Sequence, residues 1–178
     1  AVGIDHKGRE VSIVPDKAYY TPEFDAEITE RFEASWQAAR DGKLSHWELD
    51  ATGALALVIL LDQFPLNMYR GQAQSFSTEA QAREVARRAI NRGWDRDLDT
   101  VGKAFLYLPF MHSENLDDQD RSIALFEAAG LKENLRFARH HREIVRRFGR
   151  FPHRNEALGR ESSEEELQWL QSKEAFRG

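Results

Sequence analysis

The chain of 178 residues contains no cysteine, which excludes a disulfide framework and any thiolate metal site. A chain of this length hides about 70% of the surface its unfolded form exposes, so it needs no such staple. Long apolar runs are also missing. The longest, "ALALVILL" from Ala54 to Leu61, has eight residues and stops at Asp62, where a membrane span would need about 18. The N-terminal stretch "AVGIDHKGREVSIV" has no continuous apolar segment of signal-peptide type. There is no low-complexity segment and no fixed-period repeat. A soluble, cytoplasmic protein with no membrane partner and no cofactor is the expectation.

An excess of positive charge is lacking too, since the formal net charge is −5. The distribution is uneven, however. Lys132 to Arg160 holds nine Lys or Arg against three Glu. Within it, "RRFGRFPHRN" (Arg146 to Asn155) carries four arginines, a histidine and two phenylalanines. Basic residues interleaved with aromatics are the crude signature of a nucleic-acid surface. The acidic balance of the whole chain argues against that partner. The acidic "ESSEEE" (Glu161 to Glu166) follows directly and is placed to fold back over the arginines.

Hydrophobic periodicity predicts helices almost throughout. "TPEFDAEITERFEASWQAARDG" has a Thr21 cap and Pro22 at the first helical position, and it closes on Gly42. Its apolar stripe is Phe24, Ile28, Phe32, Trp36 and Ala39. A second helix, Thr52 to Phe64, is apolar on nearly every side and is expected to be central, ending or kinking at Pro65. A third opens with Thr78 and Gln81 in capping-box spacing and stops at Gly93. A fourth runs from Thr100 through "FLYLPFMH". A fifth spans Leu116 to Ala129 with Leu116, Ile123 and Phe126 as its stripe. A sixth runs from Lys132 to Phe148 before Gly149. After Pro152, Ser163 and Glu166 form a capping box for the last helix. Seven helices joined by short connections give an all-α domain over residues 21–178. Residues 1–20 read as an arm, in which "EVSIV" is strand-like without a visible partner.

Three stretches carry the polar residues of interest: "LDQFPLNMYRG" (Leu61 to Gly71), "FLYLPFMHSENLDDQ" (Phe105 to Gln119) and "RHHREIVRRFGRFPHRNEALGRES" (Arg139 to Ser162). Together they resemble the mostly bacterial domain-of-unknown-function family 924. The resemblance implies an all-helical, tetratricopeptide-like fold and no activity. That family usually carries an arginine after the proline of "LDQFP", where this chain has Leu66. Its aromatic-rich opening is replaced here by "EVSIVPDKAYY".

Asp62 closes an apolar helix, so its carboxylate is expected to lie below the surface and to need a partner. Arg147, Arg150 and Arg154 are the candidates, because a guanidinium matches a carboxylate in two places. Gln63, Asn67 and Arg70 lie beside Asp62 in sequence. His112 and Glu114 follow a helix end, where they could act as base and orienter, or bind an anion. The bland alternative has His112 bonding a backbone carbonyl and Glu114 capping the next helix. His141 falls on an apolar stripe with Phe137, Ile144 and Phe148 and reads as a core histidine. His140 and Glu143 have metal-ligand spacing without a third ligand, so no metal is expected. "DDQD" (Asp117 to Asp120) lacks the glycine and glutamate of a calcium loop and reads as an acidic first turn. Phe148 and Phe151 are expected to dock inward while the arginines splay outward.

These residues define the expected site: Asp62, Gln63, Asn67, Arg70, His112, Glu114, Arg147, Arg150, His153, Arg154 and Asn155. An Arg/His-lined pocket for an anionic small molecule or acidic peptide is the leading expectation. The alternatives are a hydrolase using His112 and Glu114 as acid and base, and a passive interaction scaffold whose polar cluster is structural.

Overall fold

The structure, a computed structural model, describes residues 2–4, 10–12 and 21–175. The chain divides into two compact units. The first comprises residues 1–70 and 74–109, and the second residues 71–73 and 110–178.

Within the first unit, strand β1 (Val2–Ile4) pairs antiparallel with β2 (Glu10–Ser12), Gly3 facing Val11. The strand-like "EVS" therefore has a partner, and the remainder of the expected arm lies outside the described residues. Helix α1 (Pro22–Arg40) starts as its sequence dictates: the Thr21 hydroxyl accepts the Phe24 N–H at 3.2 Å, and Pro22 opens the first turn. Ile28, Trp36 and Ala39 are buried, with Phe24 and Phe32 half-buried on the same face. Helix α2 (Ala51–Asp62) is capped by Asp50, whose side chain accepts the Gly53 N–H at 2.8 Å. Gly53 is required there, because a Cβ would stand 2.0 Å from the Trp47 carbonyl oxygen.

The helical path breaks at Gln63, and α3 (Phe64–Met68) resumes with Pro65 in its first turn. By length and composition Ala51–Met68 could pass as a membrane span. In the fold, α2 packs against α1, α3 and α4 (Glu79–Asn91) and buries Ala54, Leu57, Val58, Leu60 and Leu61 as core. Helix α5 (Thr100–Met111) follows, with Asp99 accepting the Gly102 N–H at 2.7 Å and Pro109 inside it.

Thr78 does not form the expected capping box with Gln81. Its side chain makes no cap bond to α4. The hydroxyl donates to the Leu61 carbonyl at 2.6 Å and accepts the Trp36 indole N–H at 3.0 Å. The reason lies four residues beyond Leu61: a helix would satisfy that carbonyl with the N–H of residue 65, and proline has none. Thr78 supplies the missing donor. Gln81 meanwhile donates to the carbonyls of Ala39 and Arg40 at the end of α1.

The second unit contains α6 (Leu116–Ala128), α7 (Lys132–Phe148) and α8 (Glu164–Leu170), with a 3₁₀ turn at Pro152–Arg154. Counting α2 and α3 as one interrupted helix, the described residues give the seven expected, and the fold is all-α apart from the strand pair. Helix α7 ends at Phe148 because Gly149 takes a left-handed φ of 71°. Helix α8 has the expected capping box between Ser163 and Glu166. Its Trp169 packs with Ile144, Val145 and Phe151, and Phe148 and Leu170 flank them.

The buried face of α6 differs from the expected stripe. Leu116 is 40% exposed, whereas Gln119, Ser122 and Phe126 are each 0% exposed. On α7, likewise, Phe137 is exposed while His141, Ile144 and Val145 are buried. On α6 apolar periodicity missed the face because it gives polar side chains no weight as core; on α7 the expected stripe holds at His141 and Ile144 and fails at Phe137.

Replacing Thr78 by valine keeps the shape but strands both the Leu61 carbonyl and the Trp36 N–H. A loss of about 2–4 kcal/mol is expected in urea unfolding; a change below about 0.5 kcal/mol would mean that the hydroxyl is dispensable.

Candidate functional site

The expected residues fall in both units. In the first, Asp62 is fully buried at the end of α2 and accepts the Gln63 amide at 2.6 Å. A carboxylate oxygen of Glu79, also buried, lies within 4.8 Å of one of Asp62. Sequence reasoning did not select Glu79, because an acid in the first turn of a helix is commonplace. Asn67 and Arg70 converge on Asp25 of α1, at 2.8 Å from Asn67 Nδ2 and 2.8 and 2.9 Å from the guanidinium. Hydrogen bonds from Arg70, aided by Asn67, hold the Asp25 carboxyl below its ordinary value against the opposing effect of burial. Asp25 was another residue the sequence did not single out.

In the second unit the polar residues form a continuous network. Glu114 receives both terminal nitrogens of Arg160 at 2.8 and 2.9 Å and the Phe151 N–H at 2.7 Å. Its helix-capping role is not found; Asn115 caps α6 by accepting from Asp117 and Asp118. Arg160 reaches further, donating to the Phe151 carbonyl at 3.1 Å and through Nε to Asn155 Oδ1 at 2.9 Å. The Asn155 amide then donates to Ser162 Oγ at 3.0 Å and to Glu166 Oε2 at 3.3 Å. Arg150 grips both oxygens of Glu166 at 2.7 and 2.8 Å and also the Glu161 carbonyl. Arg147 pairs with Glu165. Thus the acidic segment after the basic turn does fold back over it.

Arg154 departs from the expectation that the arginines splay outward. It is 7% exposed, sits 4.9 Å over the Phe151 ring, and donates to the His112 carbonyl at 3.1 Å. Packing the guanidinium on an aromatic face lowers the cost of removing it from water. The rings of His141 and His153 stand 5.5 and 5.6 Å from Phe151 on either account. His141 donates from Nδ1 to the Phe137 carbonyl at 2.8 Å, the satisfied core histidine its position implied. The Glu143 carboxylate is bound by Arg146 on its own helix.

Electrostatics divide these groups into two kinds. Burial works against the charge on Glu114, but the Arg160 bonds, the Phe151 N–H and the nearby guanidinium charges outweigh it, so its carboxyl lies below its ordinary value. Arg150 lowers Glu166 to about 2, again against burial and with help from the Ser163 N–H. The histidines go the other way in charge. Burial pushes His153 down to about 4, reinforced by Arg154, and burial pushes His141 down to about 3, reinforced by His112. At neutral pH the unit therefore holds ionised carboxylates, guanidiniums and neutral imidazoles. Carboxylates held so firmly suit orientation better than proton transfer.

Glu166, His141 and His153 have folded values below their ordinary ones of 4.5 for the glutamate and 6.5 for the histidines. Their contribution to stability is complete above those ordinary values and is lost as pH falls towards the folded ones. The urea midpoint is expected to be level above about pH 7 and to fall in two stages, first with the histidines and then with Glu166. Glu166→Gln should flatten the lower stage and His141→Gln the upper. Separately, Arg160→Met leaves a half-buried carboxylate without its partner and should cost about 3 kcal/mol.

The family model described as "Bacterial protein of unknown function (DUF924)" matches residues 12–174. No curated protein matches. A solved structure, of the protein of unknown function ATU0120 from Agrobacterium tumefaciens, is 42% identical. The similarity covers 89% of this chain and 90% of that one, with a TM-score of 0.83. The chain belongs to the DUF924 family of bacterial proteins of unknown function.

Proposed function

We propose that this protein is a binding module for a small anion, a carboxylate or a phosphate, held in the second unit by Arg154, His153 and His112. One observation carries the reading. The buried Arg154 guanidinium is anchored to the His112 backbone, and its charge is felt by the His153 ring. A guanidinium beside the neutral His153 imidazole, in a place largely closed to water, is a strong anion receptor. His112 and His153 are each only half-buried, which leaves a small solute a way in.

The same network favours a small anion over an acidic peptide. Arg147 and Arg150, the more exposed guanidiniums of the turn, already meet Glu165 and Glu166. It also ranks the hydrolase reading lower, because both oxygens of Glu114 are taken by Arg160 and Phe151. A cytoplasmic location and the tetratricopeptide-like stacking implied by the family resemblance complete the proposal.

Titration with inorganic phosphate and with acetate, followed by thermal unfolding, tests it. Saturating anion at about 100 times its Kd should add about 2.7 kcal/mol to stability. Arg154→Met should remove that gain, while Arg150→Met should lower the melting temperature of the free protein and leave the gain intact. If neither anion raises the melting temperature, or if both variants respond like the wild type, the cluster is scaffolding.

A further inference from the structure

We infer that Gln119 is a positioning residue that sets the direction of the His112 side chain, an inference that rests on the anion site proposed above. Helix α5 ends at Met111, and the last carbonyls of a helix have no partner within it. Gln119, wholly buried on α6, turns one amide nitrogen to the last of these and to a second carbonyl two residues beyond the helix. Its Nε2 donates to the Met111 carbonyl at 2.8 Å and to the Ser113 carbonyl at 2.7 Å. The carbonyl between, that of His112, accepts from Arg154. Three consecutive peptide groups are thus gripped by two buried side chains, and the residue in the middle is His112.

The next turn tightens the same segment. Ser113 Oγ donates to Asp118 at 2.7 Å and accepts the Asn115 N–H at 3.2 Å. His112 therefore has little backbone freedom left, and the clamp fixes the Cα–Cβ direction from which its imidazole projects. The arrangement is not one that core stability alone would favour. Gln119 Oε1 and the neighbouring Ser122 hydroxyl are both buried and accept or donate no hydrogen bond among the described residues. A buried polar atom without a partner is a cost. A side chain kept despite that cost, and aimed at the two peptides that flank a candidate ligand group, is placed for aim.

The test uses the full chain and inorganic phosphate, with the His112 imidazole ¹⁵N and ¹H resonances as a direct readout. Gln119→Met retains the volume and removes both donors. It should shift or broaden the His112 ring signals in the phosphate-free protein and weaken phosphate binding about tenfold. Ser122→Ala, on the same buried face, should change neither. A purely structural role would lower the melting temperature of Gln119→Met and leave the His112 signals and the phosphate affinity as in the wild type, and that result overturns the inference. If Gln119→Met does not fold, Gln119→Asn decides by the same two readouts, since it keeps the amide but draws it back from the carbonyls. A wild type that ignores phosphate would refute the anion site, whereas the phosphate-free His112 signals would still judge Gln119.

Discussion

The second unit hangs on one half-buried carboxylate, Glu114. Sequestering its charge is unfavourable unless donors surround it, and three N–H groups do so: two from Arg160 and one from the Phe151 backbone. The Phe151 bond places the chain just where it turns after Gly149, and the Arg160 bonds return a segment well beyond that turn. Between these anchors the chain has few choices. Asn155 is drawn to Arg160, Glu166 is drawn to Asn155 and Arg150, and α8 is capped where Glu166 can also serve Ser163. The apolar contacts of Trp169 with Phe151 and Ile144 then fill the space that the ionic frame leaves.

A different shortage governs the first unit. Pro65 deprives the Leu61 carbonyl of its helical donor, and the deficit is met from another part of the chain by Thr78. Because the same hydroxyl also accepts from Trp36, one small side chain ties the largest ring of α1 and the end of α2 to the start of α4. The break between α2 and α3 is therefore a fixed corner.

Local signals in the sequence proved legible. Thr21 and Pro22 mark the start of α1, Gly149 marks the end of α7, and Ser163 with Glu166 marks α8, because each is decided within four residues of chain. The partnership of the basic turn with the following acidic stretch was also visible, since the two are adjacent. What escaped was anything decided by a distant neighbour. The Thr78–Gln81 spacing imitates a capping box, yet a carbonyl 17 residues earlier claims the hydroxyl. The polar core of α6 was invisible for a related reason: Gln119 is inside because of two carbonyls, one at the end of α5 and one in the connection after it. Of the candidate residues, Glu114, Arg150 and Asn155 do meet in one network, with Arg154 packed on Phe151, but Arg160, at its centre, was overlooked as one more arginine beyond the turn.

The pairing of Arg147, Arg150 and Arg160 with carboxylates of their own unit has a consequence for encounter kinetics. Close pairs of opposite sign behave at a distance as dipoles, whose field decays faster than that of a lone charge and is damped further within about 10 Å by ordinary salt. The most basic stretch of the sequence thus casts only a short-range potential. A solute would arrive by unguided diffusion, at a rate nearly indifferent to ionic strength, and discrimination would begin only on contact.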